Sequence, residues 1–187
     1  MSLLGFCQWL ASTQWSQDLI GSQYAYPLLE SIHVWALCLF LGMTVTLDLR
    51  LAGAMLRTVP VSEIVRRLLP WSIAGFIVMV VSGLLLFFAI PIRTYQNLFS
   101  RIKLVFLIAA GVNVWIFHTG VYRRVAEWDV AGRVPGRART AGIVSLVLWA
   151  GIVVAGRLIA YNWFDCDRPQ TAIMRVLEGC SDRVKYH

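Results

Sequence analysis

The stretch PLLESIHVWALCLFLGMTVTLD, residues 27–48, decides the fold because it is apolar throughout apart from a few isolated polar side chains. A helix that crosses a bilayer needs roughly 20 mainly apolar residues. Three further stretches meet this requirement, at residues 71–90, 101–118 and 143–161. The whole chain is 58% hydrophobic and 14% charged, whereas about a quarter of the residues in soluble domains are charged. The sequence therefore predicts an all-α integral membrane four-helix bundle, forming a single domain over residues 1–187.

The two ends of the chain are expected to lie outside the bundle. Residues 3–20 mix apolar side chains with Gln, Ser and Thr, and their tryptophan rings suit the headgroup region. This pattern predicts one N-terminal amphipathic helix in the membrane interface, and residues 164–187 are predicted to form a tail. Proline suits the first turn of a helix, so Pro70 is expected where the second spanning helix begins, and Pro91 is expected just after its end.

Basic residues are concentrated in two of the connections between the predicted spans, and the net charge is +7. The first connection holds Arg50, Arg57, Arg66 and Arg67, and the second holds Arg123, Arg124, Arg133, Arg137 and Arg139. The positive-inside rule places such connections in the cytoplasm, so both termini are expected to face outward. Nucleic-acid binding is not expected, because these residues do not line one exposed helix beside stacking aromatic rings.

Two of the four cysteines, Cys166 and Cys180, lie in the predicted outward tail. In an oxidising compartment they are predicted to form a disulfide. Free thiols or metal ligands are the alternatives. Two cysteines alone make a poor zinc site, since structural zinc usually takes four protein ligands.

Polar side chains inside a membrane are costly and mark functional positions by default. In the first span, spacings of 3, 11 and 4 residues put Glu30, His33, Thr44 and Asp48 along one side of the helix. That side is expected to face away from lipid. The third and fourth spans add a second set: Arg101, Lys103, Asn113, His118 and Arg157.

The two histidines within the spans are the first candidates for chemistry. A histidine in an apolar helix indicates a haem ligand, a metal ligand or a proton relay, with a hydrogen bond to a neighbouring helix as the structural alternative. His33 and His118 differ in depth by about 16 Å at 1.5 Å per residue. Two imidazole nitrogens on one iron lie about 4 Å apart, given metal–nitrogen distances of about 2 Å. The two histidines are therefore not expected to share an iron.

Depth instead groups His33 with Glu30, Arg101, Lys103 and Arg157 near the outer surface. A haem b there would take His33 as its axial ligand, and Glu30 would orient the second ring nitrogen or handle a proton. The three cations would pair with the propionates, or a deprotonated Lys103 would be the second axial ligand. The alternative for the cations is that they extend to the headgroups.

A weaker inner group contains Asp48, Arg50, His118 and Asn113. A second haem or a proton exit could lie there. The alternative is that Asp48 and Arg50 only anchor the end of a helix.

Two segments carry a resemblance to known proteins: YPLLESIHVWALCLFLGMTVTLDLRLAG, residues 26–53, and RIKLVFLIAAGVNVWIFH, residues 101–118. They resemble a family of small bacterial membrane proteins without an assigned function, which implies the bacterial inner membrane. More distantly they resemble HemJ-type protoporphyrinogen oxidases, which bind haem b, and the membrane domain of CopD-type copper resistance proteins. The HemJ likeness implies that His33 matches the haem-associated histidine and Lys103 the required lysine.

Three functions are consistent with these features. The leading one is a haem b protein that passes electrons between an outward, periplasmic redox partner and a membrane acceptor such as a quinone. The second is copper transport or handling, although copper(I) favours Met and Cys ligands and the spans show no such cluster. The third is a non-catalytic anchor subunit of a larger membrane complex.

Overall fold

The computed structural model describes residues 3–129, 134–161 and 171–178, and its regular elements there are all helical. Four helices are long and apolar enough to cross a membrane, which confirms the predicted all-α membrane bundle. In chain order the helices are α1 Leu3–Ala11, α2 Gln14–Gly21, α3 Ala25–Ala52, α4 Val61–Ala89, α5 Pro91–Tyr95, α6 Leu98–Ile116, α7 Val125–Asp129, α8 Gly136–Ile159 and α9 Ala172–Glu178.

The second spanning helix, α4, begins earlier than the sequence predicts. It begins at Val61, ten residues earlier than expected, so Pro70 lies inside the helix and not in its first turn. The physical reason is a cap supplied from elsewhere in the chain. The Asp129 carboxylate accepts the backbone N–H groups of Val61 at 2.7 Å and Ser62 at 2.9 Å, which are donors that the first turn of a helix leaves unsatisfied. Pro91 follows the end of α4 and begins α5, as expected.

The N-terminal segment forms two helices where one was predicted. The break falls at Ser12 and Thr13, whose hydroxyls donate to the carbonyl oxygens of Trp9 and Leu10, each at 2.7 Å. Such local side-chain bonds compete with the helical ladder for the same carbonyl acceptors. The chain therefore turns between α1 and α2.

These two short helices pack at one end of the bundle, which we call the N-terminal end. Helix α1 contacts α5, and α2 contacts the neighbouring ends of α3 and α4. Ser16, only 2% exposed, donates its hydroxyl proton to the carbonyl oxygen of Phe88 at 2.9 Å. We call the opposite end, which holds the 53–60 connection and α7, the arginine end.

Helix α3 packs along both α4 and α8, and α8 also packs along α6. At the centre, the Phe40 ring meets the Trp149 ring edge-on, with 4.7 Å between centroids. The buried cluster around this pair is apolar and draws on all four long helices: Ala36, Phe40, Met79, Ala110, Trp149 and Ile152.

Three glycines allow the long helices to approach each other closely, as small residues do in membrane bundles. A Cβ added at Gly75 of α4 would lie 3.0 Å from the backbone nitrogen of Phe40. One added at Gly142 of α8 would lie 2.9 Å from both the Asp48 carbonyl oxygen and the Leu51 Cβ. One added at Gly151 would overlap the Phe106 ring of α6 at 2.4 Å. The first two contacts involve backbone, which cannot move aside cheaply.

We predict that Gly142→Ala lowers the stability of the bundle by about 1–3 kcal/mol, the usual cost of overpacking. The new methyl group would push α8 away from the backbone of α3. Gly111→Ala is the matched control, because a Cβ at Gly111 meets nothing within 4 Å and alanine favours a helix by up to about 1 kcal/mol. The measurement is thermal unfolding in detergent, followed by circular dichroism. Equal shifts in the two variants would contradict the packing.

Candidate functional site

His33 lies half-buried on α3, in the half of the bundle nearer the N-terminal end, with its ring turned toward α4. Its Nδ1 atom is 3.0 Å from the hydroxyl oxygen of Ser82, a residue only 2% exposed. The carbonyl oxygen of Met79 also faces the ring. Both neighbours come from α4, so contact between α3 and α4 fixes the orientation of the imidazole.

The hydrogen bonds of Ser82 determine which nitrogen of His33 carries the proton. The Ser82 hydroxyl has one proton and lies 2.6 Å from the carbonyl oxygen of Val78, which can only accept. This arrangement favours Nδ1–H of His33 as the donor and the hydroxyl oxygen as the acceptor. The neutral ring then has an unprotonated Nε2, the form in which a histidine binds a metal while its other nitrogen is held by a hydrogen bond.

Gly83 sits beside Ser82 and gives the His33 ring its space. A Cβ at Gly83 would lie 3.1 Å from Cε1 of His33, which is closer than van der Waals contact allows. Ser82 and Gly83 are not among the candidate residues predicted from the sequence. The available signal was the small pair within VVSGLLL, residues 80–86, in an otherwise apolar helix.

Lys103 lies half-buried on α6 and extends along Gly156 of α8. A Cβ at Gly156 would be in ordinary contact with the lysine side chain, 3.6 Å from Nζ. Lys103 and Glu30 are both close enough to act electrostatically on His33. The structure thus brings His33 and Lys103 into the same region, on different helix pairs.

Glu30 is exposed on α3, whereas its side of the helix was expected to face away from lipid. The hydrogen-bond partner of Nδ1 of His33 in the structure is Ser82. The difference arises because α4 covers the His33 position but leaves Glu30, one turn nearer the N-terminal end, uncovered. A role for Glu30 in cofactor binding stays a prediction.

The other two cations lie against tyrosine rings. The Arg101 guanidinium is 5.1 Å from the centroid of the Tyr95 ring, and its Nε donates to the Tyr95 carbonyl oxygen at 3.3 Å. The Arg157 guanidinium is 5.4 Å from the centroid of the Tyr161 ring. Both cation–π contacts lie at the N-terminal end of the bundle, because Arg101 is in the first turn of α6 and Arg157 is in the last turn of α8. Pairing with propionates stays a prediction for both.

His118 has surroundings quite different from those of His33. It is exposed, lies in a π-helical turn at Phe117–Val121, and stacks on the Tyr122 ring with 5.0 Å between centroids. Such turns interrupt α-helices and occur frequently at functional sites. The structure gives no contact between the two histidines, in agreement with the depth argument.

The predicted inner group separates into two parts. Arg50, 4% exposed, donates from Nε to the Val59 carbonyl oxygen at 2.7 Å and lies near the Asp129 cap of α4. Asp48, 5% exposed, faces α8 and has Ser145 as its hydrogen-bonding neighbour. The Asn113 side chain donates to the Ala141 carbonyl oxygen at 3.0 Å and links α6 to α8.

The side chains near His33 limit which metal ion or cofactor could bind there. Within residues 3–129, 134–161 and 171–178, no group of three or more His, Cys, Asp or Glu side chains could hold a metal ion. Haem brings most of the iron's ligands in its own ring and needs one histidine from the protein. His33, with Nε2 unprotonated, meets that need. Cys166 and Cys180 lie outside the described residues, so their disulfide stays a prediction.

Comparison with known proteins gives one match. Residues 10–162 match a protein family described as "Family of unknown function (DUF6644)". No curated protein and no solved structure matches the chain. The match covers α2 to α8, and with them His33, Lys103 and the helices that position both.

We predict that His33 is protonated at Nδ1 when neutral, because Ser82 accepts that proton. Solution or solid-state ¹⁵N NMR of histidine-labelled protein would show the unprotonated resonance at Nε2. Ser82→Ala should remove this preference and let the proton move to Nε2.

The chain has three histidines, so His118→Ala serves both to assign the signals and as the control. The His33 resonances should be unchanged in that variant. A wild-type His33 protonated at Nε2 would contradict the hydrogen-bond assignment.

Proposed function

The chain belongs to this family of unknown function, and we propose that it is a membrane haem b protein that transfers electrons. Its donor or acceptor on the outward, periplasmic side would be a soluble redox protein, and its partner within the membrane a small carrier such as a quinone. One observation carries the proposal. The Ser82 hydroxyl lies 3.0 Å from Nδ1 of His33, an arrangement that would leave Nε2 unprotonated and available as a ligand.

A haem would supply a one-electron redox centre, and the residues around His33 suit such a group. The absence of a side chain at Gly83 lets the imidazole ring of His33 lie directly against α4. Lys103 contributes a cation in the same half of the bundle, and a charge-assisted bond from Nζ would hold a propionate there. A second axial ligand from Lys103 is the alternative use of the same side chain.

A periplasmic partner requires that the His33 end of the bundle faces outward, and the distribution of the arginine residues supports this orientation. Two connections at the arginine end carry most of the positive charge, and the positive-inside rule assigns such connections to the cytoplasm. The N-terminal end, with His33 and the short helices α1, α2 and α5, then faces outward. A haem at His33 would lie within reach of a periplasmic partner.

Copper handling and a purely anchoring role are weaker proposals. Copper(I) favours Met and Cys ligands, and the residues that the structure describes contain no group of three or more His, Cys, Asp or Glu side chains that could hold a metal ion. An anchor subunit would have no need of a histidine oriented by a buried serine. Metal analysis and co-purification of partners would distinguish these functions from a haem protein.

We predict that the purified protein shows a Soret band, either as isolated or after reconstitution with haem. His33→Gly should abolish the band or shift it strongly, since it removes the iron ligand, and added imidazole should restore it. His118→Ala is the control and should retain the wild-type spectrum, because His118 stacks on Tyr122 away from this site.

The rescue by imidazole separates a lost ligand from a damaged fold, and circular dichroism checks the fold independently. A wild-type protein that takes up no haem would disprove the proposal. A spectrum more sensitive to His118→Ala than to His33→Gly would also disprove the assignment of the ligand.

We predict that the N-terminal end of the bundle faces outward. Labelling of single cysteines, each placed in a cysteine-free variant, tests this orientation. A cysteine at Gln23, exposed between α2 and α3, should react with a membrane-impermeant maleimide in intact cells. A cysteine at Thr58, exposed in the connection between α3 and α4, should react only after permeabilisation. The reverse pattern would place His33 on the cytoplasmic side and exclude a periplasmic partner.

A further inference from the structure

The Asp48 carboxylate is the most unusual polar group in the bundle that the proposed haem site does not use. It lies on α3 opposite α8, is 5% exposed, and its Oδ2 atom has no hydrogen-bond partner. Its polar neighbour is the hydroxyl of Ser145, which is itself 5% exposed. Close contact at Gly142 brings α8 against the backbone of Asp48 and closes the site.

None of the charged residues described around Asp48 pairs with it. On α8, Arg137 and Arg139 are exposed, while Ala138 and Gly142 form the face turned toward α3. On α4, Glu63 pairs with Arg66 and Arg67. On α3 itself, Arg50 donates to the Val59 carbonyl oxygen.

An ionised carboxylate in these surroundings would be costly, because burying an unpaired charge in an apolar medium normally neutralises the group instead. A proton on Oδ2 removes the charge and turns an unsatisfied acceptor into a donor. One hydroxyl and one carboxyl oxygen would be too few ligands for a divalent cation, since Ca²⁺ takes at least six oxygens.

Asp48 lies much nearer the arginine end of the bundle than the N-terminal end. Asp48 lies four residues from the end of α3, about 6 Å along the axis from the arginine end. The apolar cluster around Phe40 and Trp149 lies toward the centre of the bundle, and a second apolar cluster, which includes Leu51 and Ala138, lies toward the arginine end. His33 lies fifteen residues away on the same helix, about 22 Å at 1.5 Å per residue.

We propose that Asp48 and Ser145 form a proton-binding site, in which Asp48 is held as a neutral carboxylic acid and exchanges its proton with the arginine end. No electron transfer or bond to carbon is involved. The proton bonds to Oδ2 on binding and returns to water on release. This site is independent of any cofactor at His33.

The test is modification of the detergent-free, membrane-embedded protein with dicyclohexylcarbodiimide, which reacts with protonated carboxyls in apolar surroundings. Peptide mass mapping at neutral pH should find the adduct on Asp48, and the adduct should diminish at alkaline pH. The Asp129 carboxylate is the internal control. It accepts hydrogen bonds from Val61 and Ser62 at the arginine end and should remain unmodified.

Infrared spectroscopy provides a second readout that needs no added reagent. The carbonyl stretch of a neutral carboxylic acid should be present in the wild type, shift in D₂O, and be lost in Asp48→Asn. Ser145→Ala should retain the band, because the serine is a neighbour of the acid and not the proton carrier. If Asp48→Asn fails to fold, the wild-type protein alone tests the proposal. Its neutral-acid band should be present at neutral pH and diminish at alkaline pH.

Two results would overturn the proposal. The first is a wild-type protein with neither the adduct nor the neutral-acid band at neutral pH. The second is protection of Asp48 by Na⁺ but not by choline at the same pH and ionic strength, which would make the site one for a monovalent cation. Neither result depends on whether the protein takes up haem.

Discussion

At Gly142 the α8 helix runs so close to α3 that an added Cβ would lie 2.9 Å from the carbonyl oxygen of Asp48 and from the Cβ of Leu51. Lipid tails are as apolar as leucine, so hydrophobic burial alone does not hold spanning helices together. Close packing must do so, and here it depends on positions without a side chain. Gly75 makes the equivalent approach of α4 to α3, and Gly151 receives the Phe106 ring of α6.

The polar sites are consequences of these contacts. Gly75, Met79, Ser82 and Gly83 lie at helical spacing along the face of α4 that meets α3, so the approach that buries Phe40 also sets Ser82 beside His33. On the other face of α3, the approach at Gly142 brings Ser145 to Asp48. One helix therefore carries two ionisable side chains, each oriented by a serine of a different neighbour.

Much of this architecture could be predicted from the sequence, because apolar runs of sufficient length are a strong signal for spanning helices. The partners of the polar residues could not, since they depend on which helices become neighbours. Glu30 has the right spacing to accompany His33, yet α4 does not cover it, and Ser82 makes the hydrogen bond instead. The early start of α4 was missed for the same reason, because its cap comes from Asp129, distant in sequence.

That cap has a consequence for how the protein is made. Val61 and Ser62 emerge from the ribosome well before Asp129. Until Asp129 is synthesised, the backbone N–H groups of the first turn of α4 lack this carboxylate as an acceptor. The Asp129 carboxylate is synthesised only after α6. The cap thus ties the first turn of the second span to a residue that follows the third, so the α4 cap can be completed only after the third span has been made.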